Sequence, residues 1–146
     1  MREAVVEDCL TIMDNLRDSD RELLEYMSVD CFQAFALALH TSTFAYTWVV
    51  DEVPVCVWGV QQQSLMSGSA TIWMLTTKEM EKNVFLFTRK SQMIVKELLE
   101  VYTELTGYVH SSNTRSIRWL TWLGFTIEPS QVLENGLRVR MFYKRG

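Results

Sequence analysis

No apolar run in this 146-residue chain approaches the roughly 20 residues that a membrane-spanning helix needs, so no membrane partner is expected. The first ten residues, MREAVVEDCL, are acidic and have no apolar segment of the signal-peptide kind, so secretion by a signal peptide is not expected. Cysteine is scarce: Cys9, Cys31 and Cys56 are odd in number, far apart and set among apolar residues. That pattern excludes a disulfide framework and predicts reduced core thiols of an intracellular protein. The two histidines, His40 and His110, have no cysteine or paired carboxylates near them in sequence, so no metal site is expected. Lysine and arginine nowhere cluster, which leaves nucleic-acid binding without support. Repeats and linkers are also absent, and a single domain over residues 1–146 is expected.

What is present is globular in composition, with 48% hydrophobic and 22% charged residues. The net charge of −4 is unevenly spread. Residues 1–30 carry nine acidic and three basic side chains (−6), residues 31–77 only Asp51 and Glu52 (−2), and residues 78–146 eleven basic and seven acidic (+4). The basic side chains of the last segment are interleaved with glutamates, the pattern of an ordinary solvated surface.

Periodicity divides the chain into elements. Arg2–Val5 reads as a short strand, and Val6, Cys9, Leu10, Met13 and Leu16 recur at helical spacing up to about Asn15–Asp18. A second helix is expected over Asp20–Met27, with Leu23, Leu24 and Met27 inward. A third is capped by Asp30 and carries Phe32, Phe35, Ala36 and Leu39. The period then becomes two: Phe44–Val50, a tight connection at Asp51-Glu52, Val53–Gln61, a polar loop over residues 61–69, and Ala70–Thr76 with Thr71, Trp73 and Leu75 on one face. These strands predict an antiparallel meander. Thr76 and Glu79 fit a capping box that opens a short helix. The longest helix is expected over Val84–Leu105, with stripes Ile94, Leu98, Val101, Leu105 and Val95, Leu99, Tyr102 covered on more than one side, and Gly107 as its stop.

The stretch from Tyr108 to Phe125, YVHSSNTRSIRWLTWLGF, runs from a strand end through a polar cap to one amphipathic helix. Ser112 or Asn113 can accept a hydrogen bond from the first turn, and Gly124 suits the stop. Trp119 and Trp122 cannot both share the side of Ile117 and Leu120, so one is expected at the surface. Phe125–Ile127 reads as a strand, and Val132-Leu133 and Leu137–Tyr143 flank Glu134-Asn135-Gly136, a hairpin signal of the type I′ kind. Strand, long helix and strand form a right-handed crossover with parallel neighbours. The expected class is therefore α+β: a central mixed sheet of about six to seven strands with a meander, a long crossover helix and a C-terminal hairpin.

This order, with Arg2-Ala4-Asp8 at the start and Asn113, Ser116, Trp119, Leu120, Leu123, Gly124 and Phe125 in the last helix, resembles the GNAT acetyltransferase fold over nearly the whole chain. Three segments are similar to the small internal virion, GNAT-like protein of short-tailed phages: Val53-Pro54-Val55, Thr71-x-Trp73-x-Leu75-Thr76-Thr77, and Asn113-Thr114-x-x-Ile117-Arg118-Trp119-Leu120.

The GNAT resemblance implies acetyl-CoA as cofactor if the chain is active. Its pantetheine would meet strand amides at Met74, Leu75 and Thr76, and its pyrophosphate a loop before the long helix. In the family that loop carries glycines, which let backbone N–H groups approach the phosphates at a helix N-terminus. Phe85–Ser91 contains none, which leaves Arg89, Lys90 and the Ser91 hydroxyl to meet an anion, with Asn113 as cap and cleft wall. The family's tyrosine acid falls on Leu120, a hydrocarbon that cannot donate a proton. Ser116, Thr121 or a water would have to replace it. No carboxylate lies between Ala70 and Leu75, so His110 is the candidate base.

Three functional readings follow. The first is a catalytically degenerate phage protein of the virion interior or its assembly, whose partners are other virion proteins or a host protein. The second is an active N-acetyltransferase of unknown amine substrate. The third is a host-directed module that holds a peptide. A monomer or homodimer, in the host cytoplasm or inside the virion, is expected.

Overall fold

β-branched and aromatic residues crowd Phe44–Val50 and Val53–Gln62, a composition that favours the strands β2 and β3, and the Asp51-Glu52 pair joins them. Both joining residues have positive φ, 50° and 68°, as a two-residue turn requires to match the right-handed twist of its strands. The computed structural model describes residues 1–16, 21, 31–62, 66–134 and 136–146. The remaining elements are β1 (Arg2–Glu3), α1 (Asp8–Asp14), α2 (Cys31–Thr41), β4 (Ser69–Thr76), a 3₁₀ helix (Lys78–Asn83), α3 (Val84–Val101), β5 (Glu104–His110), α4 (Thr114–Trp122), β6 (Thr126–Ile127), β7 (Gln131–Val132) and β8 (Arg138–Arg145).

The strands follow the order β1-β2-β3-β4-β5-β8-β6, with β7 also on β8, so the expected α+β class holds. Among the described residues the sheet has eight strands, in keeping with the expected mixed sheet, and the two-residue strands β6 and β7 pair separately with β8. Apart from Arg21, the helix expected over Asp20–Met27 lies outside the described residues, as do its Leu23, Leu24 and Met27, the Asp30 cap and Asn135. Among the described residues no helix is long and apolar enough to cross a membrane.

The chain forms two compact units, one of Met1–Gln61 with Trp73–Val84, the other of Gln62–Ile72 with Phe85–Gly146. In the first, Cys9, Ile12 and Leu16 from α1 and its exit, Ala34 and Phe35 from α2, Val57 and Leu75 form one buried cluster. The Trp73 ring meets Phe35 edge-on at 6.5 Å, and its indole N–H donates to Ser42 Oγ at 2.7 Å. Burial of the Trp73 body with a partnered N–H is the usual way to place tryptophan beside a core.

The Arg2-Ala4-Asp8 motif is a clamp. Asp8 accepts both guanidinium arms of Arg2, Nη2 to Oδ1 at 2.7 Å and Nη1 to Oδ2 at 3.0 Å. Its Oδ2 also accepts the Val5 N–H at 3.0 Å and the hydroxyl of fully buried Thr47 at 2.6 Å. One carboxylate thereby ties β1, the first turn of α1 and β2 together, and its charge suits the positive end of the α1 dipole. Burial works to raise the pKa of Asp8, but the hydrogen bonds from Arg2, Thr47 and Val5 outweigh it and hold the carboxyl below the ordinary value.

In the second unit β4 and β5 pair in parallel, Ser69–Thr71 against Glu104–Thr106, as the strand–helix–strand crossover requires. β5 then pairs antiparallel with β8 along its whole length, from Glu104↔Arg145 to His110↔Val139. Three expectations need correction. The long helix stops at Val101, and Tyr102 donates its N–H to Leu98 O at 2.8 Å while Thr103 turns to Gly68 O at 2.9 Å. Leu105 therefore belongs to β5. Of the two expected stripes Val95, Leu98 and Tyr102 are buried and Ile94 and Leu99 half-buried, whereas Val101 faces solvent.

Gly107 is also no helix stop. It sits inside β5, where an added Cβ would fall 2.3 Å from the Phe142 ring and 2.9 Å from Ile72 O, so its lack of a side chain lets Phe142 cross the strand. The C-terminal hairpin, finally, closes through Leu133 N–H to Leu137 O at 2.8 Å, with Gly136 at φ 88°. Gly136 is left-handed there, while the type I′ turn expected at Asn135-Gly136 rests on Asn135, which lies outside the described residues.

The Asp8 clamp makes a testable demand. A carboxyl whose folded pKa is depressed contributes stability that is complete above its unfolded value, near 3.9, and is lost as pH falls through the folded value. Thermal melts of the wild type should hold level down to about pH 5 and decline below about pH 4. Asp8→Asn should melt earlier at neutral pH, by about 1–3 kcal/mol for imperfectly satisfied buried partners, and should decline less steeply in acid. Parallel acid slopes in the two proteins would remove the clamp from this account.

Candidate functional site

α4 is defined at both ends by side-chain and backbone chemistry. Asn113 is its N-cap: Oδ1 accepts the Ser116 N–H at 3.1 Å, and Ile117 N–H bonds to Asn113 O at 3.0 Å. At the other end Phe125 N–H reaches Leu120 O at 3.0 Å and Gly124 N–H reaches Thr121 O at 3.0 Å, the paired bonds of a Schellman stop. Gly124 has φ 96°, and the Lys144 ammonium donates to Leu123 O at 2.7 Å, which places a cation on the negative end of the helix.

These ends fix which side chains face inward. Leu120 is 3% exposed, and Leu123 and Phe125 are buried beside it, with Phe125 edge-on to Phe142 at 5.2 Å. Leu120, which the resemblance aligns with the family's acid, is thus a core residue. Ser116 is buried, and the exposed Thr121 commits its hydroxyl to Ile117 O at 2.8 Å. Trp122, at 56% exposure, is the surface tryptophan of the pair, while Trp119 turns toward α3.

That turn decides the fate of the proposed phosphate contacts. The 3₁₀ helix ends at Asn83 and α3 begins at Val84, so no loop stands between them. Arg89, Lys90 and Ser91 are the sixth to eighth residues of α3, inside the helix and not at its N-terminus as expected. Ser91 Oγ donates its proton to Thr88 O at 2.9 Å and accepts the Trp119 indole N–H at 3.1 Å, and Phe87 stacks on Trp119 at 5.0 Å. A hydroxyl has one proton, and an anion needs a donor; Ser91 has already given its proton to the backbone. Arg89 and Lys90 are exposed.

The expected pantetheine strand lies in the first unit. Leu75 is in its core, Met74 is half-buried, and Thr76 is buried with its hydroxyl 3.9 Å from Cys56 Sγ. Thr77, next in the chain, donates its hydroxyl to Val55 O at 2.8 Å, and Glu79 pairs with Lys82 at 3.0 Å. His40 is exposed near the end of α2. Among the described residues no group of three or more His, Cys, Asp or Glu is placed to hold a metal ion.

His110 ends β5 and meets Ser112. Its Nδ1 accepts the Ser112 N–H at 3.1 Å and lies 2.6 Å from Ser112 Oγ, while its Nε2 is buried. Next to it, Ser111 and Ser130 share a hydroxyl hydrogen bond of 2.7 Å. From sequence, Ser112 is only an alternative cap of α4. The spacing of His110 and Ser112 was the available signal, because in the turn after a strand it can bring a side chain back onto the ring that precedes it.

No protein-family model and no curated protein matches the sequence. Solved structures match it in fold. An acetyltransferase of the GNAT family from Streptococcus pneumoniae superposes with a TM-score of 0.66 at 16% identity, over 99% of this chain and 98% of that one. The fold is that of the GNAT acetyltransferases. The ribosomal-protein-alanine N-acetyltransferase of Brucella melitensis gives 0.67 at 11% identity, over 99% and 98% of the two chains. An aminoglycoside acetyltransferase in complex with coenzyme A gives 0.66 at 15% identity, over 99% and 92%. Likeness at such identities speaks for the fold alone.

The GNAT-fold helix α4 depends on its stop. Gly124→Ala should destabilise the protein by about 1–2 kcal/mol in urea unfolding, because alanine is strained at a left-handed φ. An unchanged midpoint would mean that the Schellman bonds re-form around a different exit.

Proposed function

We propose that this GNAT-fold chain is a catalytically degenerate relative of the acetyltransferases and serves as an internal virion or virion-assembly protein of a phage, with other virion proteins or a host protein as partners. The observation that carries the degenerate part is Leu120: a buried hydrocarbon stands where the resemblance puts the proton donor, and Thr121 beside it commits its hydroxyl to Ile117 O. The unbroken passage from the 3₁₀ helix into α3, and the internal use of Ser91, support it from the cofactor side. The virion role rests on the resemblance of Asn113–Leu120 and the two shorter segments to the phage protein.

A second reading is an acetyl-CoA-dependent N-acetyltransferase in which His110 is the base. It draws on the acceptor Nδ1 at the end of β5 and on the likeness in fold to a protein in complex with coenzyme A.

Isothermal titration separates the two. No heat is expected from acetyl-CoA or coenzyme A up to millimolar concentration, and micromolar binding by either overturns the degenerate reading. Were the second reading right, Leu120→Tyr would raise turnover by restoring a donor; unchanged turnover in a variant that still binds would end it. The virion role is checked by proteomics of purified particles, where absence of the chain from both particles and assembly intermediates counts against it.

A further inference from the structure

The hydrogen bonds of His110 determine its proton. A backbone N–H can only donate, so the bond from Ser112 N–H to Nδ1 makes Nδ1 the unprotonated nitrogen of a neutral ring. The Ser112 hydroxyl, 2.6 Å from the same nitrogen, must then be the donor in its bond too. The two donors share the single Nδ1 lone pair in a three-centre bond, and the shorter contact aims a serine proton at a base. The Nε2 edge of the ring is buried, whereas Ser112 is exposed. A nucleophile hydrogen-bonded to a base is the pairing from which a reactive serine is built. Ser112 also stands just before the N-cap of α4, where the positive dipole end favours developing negative charge.

We propose that Ser112 and His110 form a nucleophilic dyad that hydrolyses small activated carboxylic esters, independently of coenzyme A. Ser112 Oγ attacks the ester carbonyl carbon while His110 Nδ1 takes the hydroxyl proton. The tetrahedral intermediate expels the alcohol, which leaves with that proton. Water then attacks the acyl-serine carbonyl and gives a proton to Nδ1; the acyl–oxygen bond breaks, Ser112 Oγ recovers the proton, and the carboxylic acid departs. No oxidant, reductant or metal is needed for the balance. This proposal does not rest on the degenerate acetyltransferase reading and survives either outcome of the coenzyme A titration.

The test uses the full chain with p-nitrophenyl acetate as probe, reading nitrophenolate release and the acetylated peptide by mass spectrometry. A burst of nitrophenolate and one acetyl group on Ser112 are expected. Ser112→Ala should lose both, and His110→Gln should slow acetylation of Ser112 roughly a hundredfold, the range of a positioned general base. Ser111→Ala, beside the dyad, should acetylate at the wild-type rate. Acetyl groups confined to lysines, or Ser112 acetylation at equal rates in the wild type and His110→Gln, would reduce the bond to turn closure and overturn the proposal. A readout free of any variant is the nitrogen NMR signature of His110: protonation at Nε2 is expected in the neutral ring, and protonation at Nδ1 overturns the dyad.

Discussion

The second unit depends on the fixed length of α4. Asn113 Oδ1 on the Ser116 N–H begins the helix, and the left-handed Gly124, with Phe125 N–H on Leu120 O, ends it. Between fixed ends the helical period leaves no choice of face, so Leu120 and Leu123 go inward and Arg118 and Trp122 outward. The same cap puts Ser112 outside the helix, where its N–H and hydroxyl turn to His110 in place of a helical carbonyl. One side-chain hydrogen bond thus separates a core helix from the exposed serine next to it.

Trp119 extends this constraint to α3. Its indole needs an acceptor once half-buried, and Ser91 supplies one while giving its own proton to Thr88 O. The stack of Phe87 on Trp119 closes the arrangement. A side chain read from sequence as an anion ligand is therefore a joint between two helices. The chemistry of the residue type was right, since a serine hydroxyl can bind phosphate; its place in the helix and its partners decide against it. Arg89 and Lys90 keep their charge at the surface.

Much of this was legible in the residues. Caps and stops are local chemistry, so Asn113, Gly124 and the Asp51-Glu52 turn stood out, and the period of two over Phe44–Val50 gave a strand of those bounds. The failures share one cause, which is that an element ends where a neighbour competes for its backbone. Leu105 continued the helical stripe on paper, but Thr103 bonds to Gly68 and Glu104 pairs with Arg145. Gly107 resembled a stop because glycine usually is one there; only the Phe142 ring, supplied by a strand 35 residues later, shows why it is a strand residue. Ser112 stood only as an alternative cap, because sequence cannot say which of two adjacent polar residues caps the helix.

The placement of His110 also bears on the choice between the two acyl chemistries. A base for an incoming amine must present a lone pair to it. The lone pair of Nδ1 already receives the N–H and hydroxyl of Ser112, and Nε2 is buried. An amine would have to displace both a backbone and a side-chain donor that are held at short range by a two-residue turn, at the cost of leaving the Ser112 N–H to find water. The Ser112 hydroxyl, already 2.6 Å from Nδ1, displaces the backbone N–H alone when its proton moves to the ring. The arrangement therefore sets serine, and not an external amine, beside the lone pair of His110.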